Sequence, residues 1–207
     1  MILIGQYDSP FVRRVALAMR FYGMPFEHRP WSTFSDGGKI AIYNPLMRVP
    51  TLVLDDGEVL IESNAILDHL DEIAGPSRAL IPDCGHARRE VLNVCALATG
   101  LGDKAVSLVY EKVLHQNESQ RWIERCRMQI AGVMERLEGE RARRKTDFWF
   151  GSTITHADIA VACVLRFTRE AHGLFDERQY PALGHHSEMC EALPPFQEIV
   201  QPLIPPS

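Results

Sequence analysis

The first third of the chain alternates between short apolar runs and amphipathic segments. The run "MILIGQ" at residues 1–6 predicts a buried strand, and apolar residues then recur at helical spacing from Phe11 to Met19. Ser9 and Pro10 stand between them. Serine is a preferred N-cap because its hydroxyl accepts from an unpaired backbone N–H, and proline at the first helical position loses no hydrogen bond. The pair therefore predicts a strand-to-helix turn.

A β-hairpin is the strongest local signal in the chain. Residues 51–62 read "TLVLDDGEVLIE", in which Asp56 and Gly57 join two apolar runs. An Asp-Gly pair suits the two central positions of a tight hairpin turn. We therefore predict that residues 51–55 and 58–61 are antiparallel partners.

The remaining elements of this part complete a mixed α/β pattern. "FEHRP" at residues 26–30 predicts a second strand, and residues 34–43 carry a weaker helical pattern. After the hairpin, "SNAILDHLDEIAG" has helical spacing, with Ser63 as the predicted N-cap and Gly75 as the stop. The predicted order is β, α, β, α, β, β, α, which describes a small mixed sheet covered by helices.

Beyond residue 75 the pattern changes to long amphipathic helices. The stretch "GPSRALIPDCG" contains proline and glycine and predicts a linker between two units. Windows of helical periodicity then follow at residues 86–115, 118–140, 155–171, 177–192 and 195–201. We predict a first domain at 1–75, a linker at 76–85 and an all-helical domain at 86–207.

One of these predicted helices carries a capping box at its start. In "GSTITHADIAVACVL", Thr155 is followed three residues later by Asp158, and Ile154 and Ile159 are spaced as a hydrophobic staple. Because the segment that follows is almost wholly apolar, we expect this helix to be a buried nucleus of the second domain.

Composition and charge narrow the class of protein. The 207 residues are 46% hydrophobic and 24% charged, as in an ordinary soluble globular protein. The net charge of -5 argues against a nucleic-acid binder, since phosphate neutralisation needs a basic surface. No apolar run approaches the roughly 20 residues of a spanning helix, and no basic region precedes the apolar start. These features predict a cytoplasmic protein that binds neither nucleic acid nor membrane.

The cysteines suit a reducing compartment. There are five of them, an odd number that cannot pair completely, and no C-x-x-C motif occurs. His186 and Cys190, four residues apart, are the nearest approach to a metal-binding pattern. Two ligands do not make a structural zinc site, so we interpret the pair as chance placement on a solvated helix and predict no metal.

Four segments, taken in order, resemble the cytosolic glutathione S-transferase family. They are "SPFVRRV", "NPLMRVPTLVLDDGEVLIESNAILDHLDE", "RWIERCRMQIAGVMERLE" and "GSTITHADIAVACVL". The resemblance covers nearly the whole chain. It implies an N-terminal thioredoxin-like domain of order βαβαββα followed by a C-terminal all-helical domain. The serine immediately before Pro10 resembles the serine-type, bacterial-like branches, whereas a cysteine there would have implied disulfide exchange.

The residues alone allow two interpretations of Ser9: it is a simple helix cap, or it donates a hydrogen bond that activates a thiol. A free thiol has a pKa of ~8.5, and lowering it by ~2 units requires ~2.7 kcal/mol of preferential stabilisation of the anion. A charge-assisted hydrogen bond contributes roughly 1.5 to 3 kcal/mol and a helix dipole up to ~2 kcal/mol. The resemblance implies the second interpretation, in which Ser9 donates a hydrogen bond to the glutathione sulfur. Tyr7 is the rival donor, because some branches of the family use a tyrosine from this region.

The Val-Pro pair before the hairpin is a second candidate part of the site. The resemblance implies that Pro50 follows a cis peptide bond and that Val49 offers its backbone N–H and C=O to glutathione. The alternative for Pro50 is an ordinary loop proline at the start of a strand. Arg48 would hold the glycyl carboxylate or be a solvated surface charge, and Lys39 is a weaker candidate for the same role.

The Glu-Ser pair after the hairpin is the third candidate part. A helix N-terminus with a free hydroxyl is a ready site for a carboxylate. The resemblance implies that Ser63 binds the γ-glutamyl carboxylate and that Glu62 binds the γ-glutamyl ammonium. The same resemblance places Phe11 among the residues that contact glutathione. For Ser63 the alternative is a plain N-cap, and for Glu62 a surface acid.

The function that the resemblance implies is conjugation of glutathione, as co-substrate, to a small hydrophobic electrophile. Detoxification and a homodimeric assembly are part of the same expectation. Two alternatives stay open: a non-catalytic binding or regulatory protein with this fold, and a glutathione-dependent isomerase or dehalogenase.

Overall fold

The computed structural model describes residues 1–204, which form two compact units. The first unit comprises residues 1–83 together with residues 193–204, and the second comprises residues 84–192. The predicted helical domain at 86–207 thus differs from the second unit at its C-terminal side. Its last three residues, 205–207, lie outside the described residues.

The first unit has the predicted element order. Its strands and helices are β1 (Ile2–Ile4), α1 (Pro10–Tyr22), β2 (Glu27–Arg29), α2 (Gly37–Ala41), β3 (Thr51–Val53), β4 (Val59–Ile61) and α3 (Ser63–Ala74). The sheet order is β2-β1-β3-β4, with β1 parallel to β2 and antiparallel to β3. The predicted hairpin is confirmed as the antiparallel pair of β3 and β4, whose turn has Gly57 at a φ of 92°.

The strand register brings three separate parts of the chain to one edge of this sheet. Arg29, Ile4, Thr51 and Ile61 lie side by side in one row across the four strands. β1 and β4 end at this row, and β3 begins there. The residues that follow β1, precede β3 and follow β4 therefore leave the sheet at the same edge.

The second unit is wholly helical in the residues described, as predicted. Its helices are α4 (Gly85–Leu114), α5 (Gln120–Ala142), α6 (His156–His172) and α7 (Pro181–Glu191). The capping box of Thr155 and Asp158 is confirmed at the start of α6. Most residues of α6 are buried, so this helix is the core of the unit.

Within the described chain, α4 is the one helix that is long and apolar enough to cross a membrane by length and composition alone. The sequence had predicted no such run. In the structure, 44% of the apolar window is buried, and the helix packs against α5 and α6. A core helix of a soluble protein passes the same test, so this feature is weak evidence for a membrane span.

His186 and Cys190 lie in the core, which corrects their interpretation as residues of a solvated helix. Both side chains are fully buried in α7, and the Cys190 sulfur lies 3.7 Å from the His186 Nε2 atom. The Nδ1 atom of His186 accepts from the Arg141 guanidinium at 3.3 Å. The described residues contain no group of three or more His, Cys, Asp or Glu side chains that could hold a metal ion.

Residues 193–204, which we call the C-terminal strap, return to the first unit. The strap contains the short helix α8 (Pro194–Glu198). Arg13 of α1 explains the difference from the predicted boundary, because its guanidinium is only 2% exposed and donates to the carbonyls of Phe196 and Ile199. A buried cation needs such partners, and the strap supplies them.

Candidate functional site

Ser9 caps α1 at the edge of the sheet, immediately after the turn that leaves β1. It has extended backbone angles, with φ of -66° and ψ of 123°, and Pro10 occupies the first helical position. Its hydroxyl oxygen accepts from the Val12 N–H at 3.4 Å, a long hydrogen bond, and the first turn of α1 contains no acidic residue. As an acceptor, the hydroxyl keeps its own proton for donation to an external anion.

Gly5 allows the Val-Pro segment to approach the start of α1. Its φ of 127° is one that L side chains rarely adopt. A Cβ atom at this position would lie 2.5 Å from Val12 Cγ2 and 2.8 Å from Val49 Cβ. Only glycine therefore fits between the first turn of α1 and Val49, and it brings the first two candidate parts of the site together.

The Val49-Pro50 peptide bond is cis in the structure. The loop before it is held by Asn44, a side chain that is 1% exposed. Asn44 Nδ2 donates to the Arg48 carbonyl at 3.0 Å and to Thr51 Oγ1 at 3.2 Å. Sequence reasoning missed Asn44, although an Asn-Pro dipeptide is a turn signal that could have indicated it.

Glu62 and Arg48 meet across this edge as an ion pair. The Arg48 Nη1 atom lies 3.1 Å from Glu62 Oε1, and each side chain is about half exposed. Glu62 has a φ of 67°, which is uncommon for a residue other than glycine. Residues with such backbone angles cluster at active sites and ligand clamps.

Ser63 is the first residue of α3 and not its N-cap, which corrects the sequence prediction. The N-cap position belongs to Glu62, whose side chain makes no capping hydrogen bond. The Ser63 hydroxyl instead accepts from Arg14 Nη1 at 3.2 Å. Arg14, which is 3% exposed, also donates to Asn64 Oδ1 at 2.8 Å and so joins α1 to the start of α3.

Phe11 and Lys39, the two further candidates, differ in their relation to this edge of the sheet. Phe11 lies half-buried in the first turn of α1, next to Ser9 in the chain. Lys39 forms an ion pair at 2.6 Å with Asp36, the N-cap residue of its own short helix, and its ammonium lies 5.8 Å from the Trp31 ring centre. Arg48, and not Lys39, is therefore the cation that meets Glu62.

The Tyr7 ring lies against β2. It stacks on His28 with 3.8 Å between ring centres and 3° between planes. Burial raises the pKa of Tyr7, and the Arg20 guanidinium lowers it in part. The Tyr7 ring therefore packs on a side chain of β2.

Together these residues form an edge with complementary charges. The starts of α1 and α3 carry partial positive charge and unpaired N–H groups, which suits carboxylates and a thiolate. Glu62 offers a carboxylate that suits an ammonium, and Arg48 offers a guanidinium. The arrangement can hold a small molecule that carries both carboxylates and an ammonium.

Comparison with known proteins gives the family. Residues 3–78 match the model of the glutathione S-transferase N-terminal domain, and residues 120–188 match that of the C-terminal domain. An uncharacterised GST-like protein of Escherichia coli, YibF, is 31% identical over 188 residues, which are 87% of this chain and 89% of YibF. A probable maleylacetoacetate isomerase of Drosophila melanogaster is 28% identical, over 95% of this chain and 86% of the relative.

A solved structure agrees over almost the full length. The glutathione S-transferase of Methylobacterium radiotolerans, in complex with glutathione sulfonate, superposes with a TM-score of 0.90 at 27% identity. The match covers 98% of this chain and 95% of that chain. The fold is therefore the predicted pair of a thioredoxin-like domain and an all-helical domain. The chain belongs to the glutathione S-transferase family.

Proposed function

We propose that the protein is a glutathione transferase that binds glutathione at the sheet edge and stabilises its thiolate at Ser9. The thiolate then attacks a small hydrophobic electrophile. The observation that carries this proposal is the start of α1, where Ser9 is the N-cap, Gly5 lets Val49 approach the first turn, and that turn contains no acidic residue.

The binding groups are matched to the functional groups of the tripeptide. Glu62 pairs with the γ-glutamyl ammonium, and the Ser63 hydroxyl with its N–H at the start of α3 binds the γ-glutamyl carboxylate. The backbone of Val49 hydrogen-bonds the cysteinyl part. Arg48 holds the glycyl carboxylate, and Phe11 adds an apolar contact close to Ser9.

The energetic requirement at Ser9 is modest. A shift of ~2 units in the pKa of the bound thiol corresponds to ~2.7 kcal/mol. One hydrogen bond to an anion contributes roughly 1.5 to 3 kcal/mol, and the helix start adds up to ~2 kcal/mol. Because Ser9 is a donor and not the nucleophile, glutathione itself forms the bond to the electrophile.

The experiment follows the thiolate absorbance of bound glutathione against pH. In Ser9→Ala we expect the apparent pKa of the thiol to rise by about 2 units, since both the donor and the placement of the sulfur are lost. Ser119→Ala is the matched control, because Ser119 caps α5 through the same 3.4 Å bond to a backbone N–H. An unchanged pKa in Ser9→Ala would contradict the proposal.

A glutathione-dependent isomerase is the second candidate. The Drosophila relative is named a probable maleylacetoacetate isomerase, and the M. radiotolerans protein binds glutathione sulfonate. An isomerase would use the same thiolate and regenerate it after each turnover. Product analysis separates the two, since conjugation consumes glutathione and isomerisation does not.

Homodimeric assembly, a cytoplasmic location and a role in detoxification are further parts of the proposal. Exposed apolar side chains beside the Arg48 loop offer a surface that a second copy would cover, namely Ile42, Leu46 and Met47, at 78%, 56% and 50% exposure. Sedimentation equilibrium of the wild type and of Leu46→Asp measures the association. A monomeric wild type would remove the dimer from the proposal.

A further inference from the structure

The C-terminal strap makes two hydrogen bonds to the turn that presents Ser9. We define the Ser9 turn as residues 5–9. The Tyr7 backbone N–H donates to Gln201 Oε1 at 3.0 Å, and the Ile204 N–H donates to the Asp8 carboxylate at 3.1 Å. The two residues directly before Ser9 are therefore held by chain that lies more than 190 positions away in the sequence.

The strap itself is firmly anchored beside this turn. The Arg13 guanidinium donates to the Ile199 carbonyl at 2.9 Å and to the Phe196 carbonyl at 3.2 Å. The Phe196 ring is fully buried, with the guanidinium carbon 5.3 Å from its centre. Arg13 also continues α1 from Ser9, because its N–H donates to the Ser9 carbonyl at 2.9 Å. Strap and helix start thus share one buried contact.

His28 of β2 makes a further contact with the same turn. Its Nε2 atom lies 2.8 Å from the Gly5 carbonyl oxygen, which can only accept, so Nε2 carries the proton. The His28 ring also stacks on Tyr7. The Ser9 turn is therefore held by both β2 and the strap, and Gln201 supplies the acceptor from the strap.

We propose that Gln201 is a positioning residue for the Ser9 hydroxyl, acting through the Tyr7 peptide. This inference rests on the proposed role of Ser9 as donor to the glutathione sulfur. A donor stabilises a thiolate only if it is already aimed at the sulfur, and small displacements are costly in rate. Gln201 fixes the peptide two residues before Ser9 and so limits the directions that the hydroxyl can take.

The test compares two substitutions of similar size. Gln201→Met keeps the length of the side chain and removes the acceptor, and Gln201→Glu keeps an acceptor oxygen. In Gln201→Met we expect kcat to fall about 5-fold to 10-fold, as for loss of one hydrogen bond, with little change in the KM for glutathione. The pKa of the bound thiol should rise by about 0.7 to 1 unit. Gln201→Glu should restore most of kcat at a pH where the thiol is ionised, but not the thiol pKa, because its added negative charge raises that pKa by itself.

A control on the same strap separates positioning from simple loss of packing. Glu198→Gln breaks an exposed 3.5 Å ion pair with Arg20 and leaves the Ser9 turn untouched, so we expect the wild-type thiol pKa. A chain that ends after Val200 keeps the acceptors of Arg13 but loses Gln201 and Ile204. The shortened chain should lower kcat and raise the pKa of the bound thiol by at least as much as Gln201→Met does.

The outcomes distinguish the two proposals. If wild-type protein shows no thiolate with bound glutathione, the proposed function fails. If wild type shows it, and both Gln201→Met and the shortened chain keep its pKa and kcat, the positioning role is overturned. A fall in melting temperature with an unchanged thiol pKa would likewise assign Gln201 a structural role only.

Discussion

Helices α1 and α6 both begin with a hydroxyl residue, yet their N-termini are completed in opposite ways. At α6, Asp158 Oδ2 accepts from the N–H and the hydroxyl of Thr155, each at 2.7 Å, and its Oδ1 atom accepts from the Trp149 N–H at 2.7 Å. Asp158 is fully buried. At α1, Ser9 makes one long bond to Val12, and no acid follows in the first turn.

Under the proposed function, the difference separates a helix start that serves folding from one that serves binding. A helix N-terminus attracts an anion, and α6 receives that anion from its own sequence. The first turn of α1 contains no acidic residue, and the Glu62 side chain makes no capping bond to α3. In the proposed function, these two starts receive the thiolate and the γ-glutamyl carboxylate of glutathione.

The largest effect that tests this comparison is the loss of Asp158. In Asp158→Ala the buried N–H groups of Trp149 and Thr155 lose their acceptor, so we expect the free energy of unfolding to fall by about 3 to 4 kcal/mol. Urea unfolding followed by circular dichroism measures it. Ser9→Ala should lower the same quantity by no more than about 1 kcal/mol. If the two variants lost equal amounts of unfolding free energy, the proposed difference between the starts of α1 and α6 would be wrong.

Glu62 gives the next largest effect, on binding and not on folding. Glu62→Gln removes the charge that pairs with an ammonium, so we expect the affinity for glutathione to fall about 10-fold to 100-fold. The free energy of unfolding should change by less than about 1 kcal/mol, because the Arg48–Glu62 pair is half exposed. Titration calorimetry measures the affinity.

The matched control for Glu62 is Glu27→Gln. Glu27 forms a 2.7 Å ion pair with Arg29 and is similarly exposed, but it lies in β2 and belongs to no candidate part of the site. It should bind glutathione as the wild type does. If both variants lost affinity equally, a general charge effect would explain the result.

The sequence predicted those features that depend on neighbouring residues. The Asp56-Gly57 turn, the Ser9 cap and the capping box of α6 each arise within a few positions, and each is present in the structure. The candidate residues Arg48 and Glu62 also meet as an ion pair. Local turn and cap chemistry was therefore sufficient for the element order, whereas Arg48 and Glu62 were named through the family resemblance and their mutual ion pair was not predicted.

The features that the sequence did not predict depend on distant contacts. The return of the strap to Arg13 has no local signal, since a buried arginine looks like any exposed one in sequence. The positive φ of Glu62, which shifts the cap away from Ser63, is likewise invisible. The burial of His186 follows from contacts of α7 with α5 and α6, and not from its own weak periodicity.

The buried His186 predicts a pH dependence of the free energy of unfolding. Burial, and then the nearby Arg141 guanidinium, lower its pKa from 6.5 to about 3. The unfolded chain therefore binds a proton between these values that the folded chain does not, and stability falls as pH falls below about 6.5. Between pH 7.5 and pH 5.5 we expect a loss of about 1.4 kcal/mol from this group.

Substitution of His186 separates its contribution to the pH dependence from those of the neighbouring titratable groups. His186 faces Arg141 from α5, Asp158 from α6 and Cys190 on its own helix, with His185 beside it in the chain. Burial raises the pKa of Asp158, which acts in the opposite sense. His186→Gln should flatten the wild-type slope of unfolding free energy against pH by about one proton. An unaltered slope would show that another group titrates.

The smallest expected effect is that of Arg48, where exposure limits what a charge contributes. Arg48→Ala removes the cation proposed for the glycyl carboxylate, but the side chain is 54% exposed and already paired with Glu62. We therefore expect the affinity for glutathione to fall only about 3-fold at about 20 mM salt. At about 500 mM salt the difference from wild type should nearly vanish, since exposed charges are screened. A loss that persists in high salt would mean that Arg48 acts through a desolvated contact, and the contrast between a sealed polar core and an open, screened site would then fail at this residue.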